Sequence, residues 1–193
     1  MTLGNETLTG FIEDLSGRTS TPGGGAVAAV TGSQAAALIS MVAEFSDKSM
    51  DPTQRQGILN AVSVASERFL FLADQDAENF AGLMAAFKNK SGIQSALKAA
   101  ATPPLECLML ATEIASFLEI LEVQGNQNLV TDTGIAATLI KSTITASEMN
   151  VLINLRSIDD QEFTSQAEQT IDQAKQIIPA LNKTIDTIIG NLS

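Results

Sequence analysis

Apolar residues recur along this chain at steps of three and four, the spacing of one face of a helix. No alternating stretch is long enough to read as a strand. β-Branched residues crowd Ile135–Ile153, but small residues recur among them at helical spacing. The pattern predicts a first helix over Leu8–Leu15 and a loop over Arg18–Gly25, where Thr21-Pro22-Gly23-Gly24-Gly25 is too glycine-rich to continue a helix. A second helix follows over Ala26–Phe45. Asp51-Pro52 reads as an N-cap with Pro at the first helical position, opening a third helix that runs to about Phe87. After a break near Gly92, Thr102-Pro103-Pro104 is expected to start a fourth helix, because Pro is tolerated in a first turn. It ends before Gly125-Asn126. A fifth covers Val130–Leu155. Asp159 or Asp160 caps a sixth, which reaches Ile189 and stops at Gly190.

Two of these helices carry long stripes. In the last, Phe163, Ala167, Ile171, Ala174, Ile178, Leu181, Ile185, Ile188 and Leu192 form a coiled-coil type of seam. In the third, Ile58, Val62, Ala65, Phe69 and Leu72 lead to Asp76, and the stripe resumes at Phe80, Leu83 and Phe87. Long helices with short connections predict an all-α fold, an antiparallel bundle of about five to six helices. The two stripes look like more apolar surface than one chain needs, which points to a dimer. No repeat, linker or charge block divides the 193 residues, so a single domain is expected over 1–193.

Charge and composition narrow the function. Lys and Arg total 11 against 22 Asp and Glu, a net charge of −11. Such a chain is a poor partner for nucleic acid or an anionic membrane. It has no His, which removes Ser-His and Cys-His catalysis and the commonest zinc sites. No metal site is expected. The single Cys107 suits a reducing compartment. The first residues have neither a positive n-region nor an apolar h-region. Thr31, Ser33, Gln34, Ser40 and Glu44 interrupt the most apolar stretch, so it reads as a buried helix rather than a span. A cytoplasmic location is the expectation.

Asp76 is the first candidate for chemistry. Four residues separate it from Leu72 and four from Phe80, so it points inward with them. Burial raises a carboxyl pKa toward the range of a general acid or base. It can equally sit at the stripe edge and bond a neighbouring helix. Asp74, about 200° away around the helix, should be solvated. Gly23, Gly24 and Gly25 precede a helix whose free N–H groups can hold an anion or a polar ring edge; a plain turn explains them as well. In Gly125–Asp132, the amides of Asn126 and Asn128 can bond their own backbone and Asp132 can cap or begin the fifth helix. Asn150 shares a face with Asp132 but lies about 27 Å along it, too far for one small site within one chain.

Four segments carry a family resemblance: Thr21-Pro22-Gly23-Gly24-Gly25-Ala26-Val27-Ala28-Ala29, Leu72-Ala73-Asp74-Gln75-Asp76-Ala77-Glu78-Asn79-Phe80, Gly125-Asn126-Gln127-Asn128-Leu129-Val130-Thr131-Asp132 and Asn150-Val151-Leu152-Ile153-Asn154-Leu155-Arg156. In this order they resemble the cyclodeaminase/cyclohydrolase family, over nearly the whole chain. The resemblance implies an all-α homodimer that binds reduced folate in a cleft near the subunit interface. It implies cyclodeamination of formiminotetrahydrofolate to methenyltetrahydrofolate and ammonia, or hydrolysis of methenyltetrahydrofolate. The acid/base of the family's Asp-x-Asp-Ala-x-x-Phe motif falls on Asp76, and no cofactor beyond the folate substrate is implied. Substrate contacts are expected from Gly23, Gly24, Gly25, Asn126, Asn128, Asp132 and Asn150.

The chain departs from the family pattern in places. Ala26 stands where Ser is usual, and Thr131 replaces Ser before Asp132. The small pair before Asn150 is Ala146-Ser147, followed by Glu148. The basic pair expected after Met41-Val42 is reduced to Lys48, which with Arg156 is left to meet a folate glutamate tail. Cyclodeaminase leads cyclohydrolase here, and a non-catalytic assembly protein that retains the fold is the opposing class.

Overall fold

Asp51 starts the longest helix as its sequence predicts. Its carboxylate accepts the N–H groups of Thr53 and Gln54 at 3.0 and 2.9 Å, and Pro52 follows at the first helical position. In this computed structural model, which describes residues 3–192, that helix is one of seven. They are α1 (Leu8–Ser16), α2 (Gly24–Glu44), α3 (Pro52–Asn89), α4 (Ile93–Gln124), α5 (Val130–Leu155), α6 (Gln161–Gln176) and α7 (Ile178–Leu192). Short 3-10 turns occupy Leu3–Asn5 and Gln127–Leu129, and no strand occurs among the described residues.

Helices α2 to α5 form an antiparallel four-helix arrangement in which α2 packs on α3, α3 on α4, α4 on α5 and α5 back on α2. The connections are short, and the tightest is Lys90-Ser91-Gly92. There Lys90 and Gly92 take left-handed φ values of 53° and 67°, which end α3 and begin α4. Helix α6 covers α4, and α7 covers α5. The core is Ile39 and Val42 of α2, Phe69 and Leu72 of α3, Leu108, Ile114 and Leu121 of α4, and Ile140 and Ile144 of α5. Although α2 is apolar enough by composition to cross a membrane, over half of its most apolar window is buried inside this bundle.

Five expectations need correction. Helix α4 begins at Ile93, not Thr102, and continues through Pro103 and Pro104. Pro103 has no N–H for the carbonyl of Ala99 one turn back. The side chain of Asn79, on α3, donates to that carbonyl instead, at 2.8 Å. The orphaned acceptor is thereby satisfied and the helix need not stop.

The last helix is split at Ile177. Pro179 cannot serve the carbonyl of Lys175, and the Ile177 N–H turns in to take it, which closes α6. Gly190 does not end α7, which runs on to Leu192, because the backbone there keeps a negative φ. Helix α2 also starts earlier than expected, at Gly24, with Gly23 as its N-cap.

Most of the two apolar stripes is buried within the chain. Ala167, Ile171, Ala174 and Leu181 from the last two helices join the same core as Ile58, Val62, Ala65, Phe69 and Leu72 of α3. Phe87 and Leu192, at the ends of the two stripes, remain exposed. Asp74 is not solvated either: it is half-buried and accepts the Leu3 N–H at 2.7 Å.

Close packing sets opposite signs for two glycines. A Cβ on Gly32 of α2 would stand 2.5 Å from Cε1 of Phe69, whose side chain is fully buried. A Cβ on Gly57 of α3 would meet nothing within 4 Å. Gly32→Ala should destabilise the fold by about 1–2 kcal/mol, the overpacking penalty reduced by the better helix propensity of Ala. Gly57→Ala should stabilise it by about 0.5–1 kcal/mol. Urea unfolding of both variants checks the pair.

Candidate active site

The antiparallel order brings the start of α2, the end of α3, the start of α4 and the end of α5 to one end of the bundle. Between them lies a cavity of about 460 Å³, within the range of small-molecule sites. Gly23, Gly24 and Gly25 form one wall, Asp76, Phe80, Leu83 and Phe87 of α3 a second, Leu97 and Ala100 of α4 a third, and Asn150, Ile153 and Asn154 of α5 the fourth.

The glycines of the α2 wall have a steric reason. A Cβ on Gly25 would overlap the carboxylate of Asp76, so the side chain can rest on bare backbone only if position 25 is glycine. Two opposing effects then act on Asp76. Burial raises its pKa above the ordinary 3.8, and the Ala26 N–H in the first turn of α2 pulls it down. Burial is the larger, so the carboxyl is held above the usual carboxylate range. Behind it the buried Cys107 thiol is pushed up to about 12 by desolvation first and then by the charges of Asp76 and Glu106. It stays a neutral thiol there.

On the facing wall, Asn150 and Asn154 lie one turn apart. Asn150 donates to the carbonyl of Ala146, and Asn154 to that of Asn150, both at 2.8 Å. These bonds fix the two rotamers and leave the amide oxygens for a ligand. The Asn150 amide stands 3.9 Å from where a Cβ of Gly24 would be, so the two walls meet closely.

The remaining predicted residues are elsewhere. Lys48, Asn126 and Asn128 line a second cavity of about 460 Å³ with Phe45, Asp47 and Gly125. It is formed where α2 ends, α4 ends and α5 begins, at the other end of the bundle. Both ends of the Asn126 side chain are committed there: Nδ2 donates to the Phe45 carbonyl at 2.9 Å and Oδ1 accepts the Asn128 N–H at 3.0 Å. Its backbone N–H also donates to Ser46 Oγ at 2.8 Å. Asn126 thus ties the α4–α5 connection to the end of α2. Asp132 is half-buried in the first turn of α5, where the helix dipole favours a carboxylate. Arg156 is exposed at the end of α5, beside the cavity-lining Ser157.

Phe80, Leu83 and Phe87 belong to the same stripe as Asp76, so helical spacing could have assigned them to the cavity. Asn154 was signalled by its four-residue step from Asn150. Leu97 and Ala100 were hidden by the expected late start of α4, and Ser20 and Ser157 carried no signal. Among the described residues no group of three or more Cys, Asp or Glu side chains is placed to hold a metal ion.

The sequence model of the family described as formiminotransferase-cyclodeaminase matches residues 7–173. A methenyltetrahydrofolate cyclohydrolase of Methylorubrum extorquens is 32% identical over 198 residues, covering 94% of this chain and 95% of that protein. The formimidoyltransferase-cyclodeaminase of Mus musculus is 28% identical over 185 residues; the match covers 88% of this chain and 34% of that protein. The crystal structure of formiminotetrahydrofolate cyclodeaminase from Thermotoga maritima superposes with a TM-score of 0.91 at 32% identity, over 98% of both chains.

The raised pKa of Asp76 has a signed consequence for stability. Below the unfolded-state value, about 3.9, the carboxyl is protonated in both states and imposes no penalty. As pH rises through the raised folded value, the folded state must ionise a desolvated group and loses stability relative to the unfolded chain. Asp76→Asn removes that penalty. Its Tm should exceed the wild type's at pH 7, and the difference should vanish below about pH 4. Differential scanning calorimetry across pH 3.5–8 reads both; a carboxylate serving mainly as a helix cap would give the opposite sign at pH 7.

Proposed function

The chain belongs to the formiminotransferase-cyclodeaminase family, and from that premise we propose that it is a folate one-carbon enzyme that cyclises formiminotetrahydrofolate to methenyltetrahydrofolate with release of ammonia. The observation that carries the proposal is the Asp76 carboxyl as the one ionisable group in a cavity lined by Phe80, Leu83, Phe87, Leu97, Ala100 and glycine backbone, with the uncharged amides of Asn150 and Asn154 opposite. The nitrogen next to the aminobenzoate attacks the formimino carbon, and a new carbon–nitrogen bond closes the ring. That nitrogen loses its proton, and the carbon–amine bond breaks as the amine gains one. A single carboxyl can do both: burial favours its protonated form, which gives its proton to the departing amine, and the resulting carboxylate takes the one released by the attacking nitrogen.

The walls suit the rest of the substrate. Phe80 and Phe87 offer apolar faces for the aromatic rings. The amide oxygens of Asn150 and Asn154 can accept from N–H groups of the pterin edge. The backbone at Gly23 and Gly24 allows a flat ring to approach closely. Arg156 at the same end is placed to meet the glutamate tail. Lys48, Asn126, Asn128 and Asp132 can reach the same ligand only from a second copy of the chain. Their position at the far end of the bundle is what supports an interfacial site and a homodimer.

A second reading is favoured by the whole-length match to a cyclohydrolase. There the ionised Asp76 would take a proton from water as it attacks methenyltetrahydrofolate. Two cuvettes that follow the absorbance of methenyltetrahydrofolate separate the readings. Its appearance from formiminotetrahydrofolate identifies a cyclodeaminase, and its accelerated loss identifies a cyclohydrolase. Silence in both, with folded protein present, overturns the enzyme reading. In the active direction Asp76→Asn should lower kcat by about 10²–10⁴-fold, the usual contribution of a positioned acid/base. It should leave folate binding measurable by thermal shift. Turnover at the wild-type rate would remove Asp76 from the chemistry.

A further inference from the structure

Helix α4 serves two cores. From Cys107 to Leu121 it packs into the main bundle, whereas Leu97, Ala100 and Ala101 form a separate cluster with Leu83 and Ile158. Pro103 and Pro104 lie at the boundary between them. The segment before the prolines supplies one wall of the cavity, through Leu97 and Ala100. At this joint α4 lacks two of the hydrogen bonds that would cross it, because Pro103 cannot donate to Ala99 nor Pro104 to Ala100. The one side chain bonded to the Ala99 carbonyl comes from another helix: Asn79 donates to it at 2.8 Å. Asn79 sits on α3 one residue before the cavity-lining Phe80 and three after Asp76.

We propose that Asn79 is a positioning residue for the cavity: its amide stands in for the N–H that Pro103 lacks and fixes the 93–102 wall at its distance from Asp76. Neither Asn79 nor Pro103 reaches the reacting atoms. The role belongs to the pair. An ordinary residue at position 103 would satisfy the Ala99 carbonyl within α4 and release the tie to α3. A proline there leaves this carbonyl to a side chain of α3, which adds a directional tie to the apolar cluster of Leu83 with Leu97, Ala100 and Ala101. The inference rests on the cavity being the folate site.

A double-substitution cycle tests it, with wild type, Asn79→Ala, Pro103→Ala and the combination. Asn79→Ala should raise KM about tenfold, the scale of one lost buried hydrogen bond, and change kcat less than about threefold. The pH dependence set by Asp76 should not move. Hydrogen exchange should accelerate at least about tenfold across residues 93–102 and not across the main core. Adding Pro103→Ala to Asn79→Ala should return both readouts to within about threefold of wild type, because the new N–H bonds Ala99. Asn79→Asp, which keeps the shape and loses the donor, should behave as Asn79→Ala does and covers the case in which the latter fails to fold. Equal effects of Asn79→Ala with and without Pro103, or a uniform loss of protection with unchanged KM, overturn the inference. Wild-type silence toward both folates with the exchange coupling intact overturns the folate reading instead and leaves the positioning role standing.

Discussion

The carboxylate of Asp76 resting on the backbone of Gly25 is the contact on which the rest of the site depends. A helix start offers unpaired N–H groups and a positive dipole end, which by themselves would favour the ionised acid. Burial works against that and is the stronger effect here. The same contact orders the surroundings. It makes glycine obligatory at position 25 and seats the first turn of α2 against α3. It also turns the α3 stripe, apolar on both sides of Asp76, into the floor of a cavity rather than a sealed core. A stripe interrupted by one carboxylate would weaken an ordinary bundle; here the interruption is where the cavity opens.

Topology distributes the other segments. In an antiparallel bundle, the start of one helix neighbours the end of the next. The glycine loop, the Asp76 segment and the Asn150 segment therefore converge at one end. Gly125–Asp132 and Lys48 converge at the other, about 30 Å away along α2 at 1.5 Å per residue. No rotation of side chains closes that distance. A site using both sets requires two copies, whereas a site using one chain has Asp76, the glycines, Asn150, Asn154 and the α4 wall.

Local patterns made much of this legible and non-local ones did not. Helical spacing placed Asp76 on the inward face between Leu72 and Phe80 without any knowledge of its neighbours. Asp51-Pro52 fixed the start of α3 because both residues act within one turn. Pro103-Pro104 misled because a proline signals only its missing N–H; what rescues the helix is Asn79, on another helix. The break at Ile177 has a local signal in Pro179, but an unbroken apolar stripe reads as one helix, and two successive helices bury it as well. The stripes of the last two helices face α4 and α5 of the same chain, which a linear pattern cannot specify. Asn126 does bond backbone in its own loop, as a loop amide is expected to, through the Asn128 N–H; its second bond, to the Phe45 carbonyl 81 residues away, is the part no local pattern reveals.

The most direct test of the account is the ionisation of Asp76 itself. Carbon-13 NMR of the side-chain carboxyls, with the Asp76 signal assigned by its loss in Asp76→Asn, would follow its titration in the free protein. The account predicts a midpoint above the ordinary 3.8, with the carboxyl protonated at pH values where exposed aspartates have already ionised. A midpoint at or below 3.8 would show that the N-terminus of α2 dominates, that Asp76 is a helix-capping anion, and that the acid proposed to protonate the departing amine is not present.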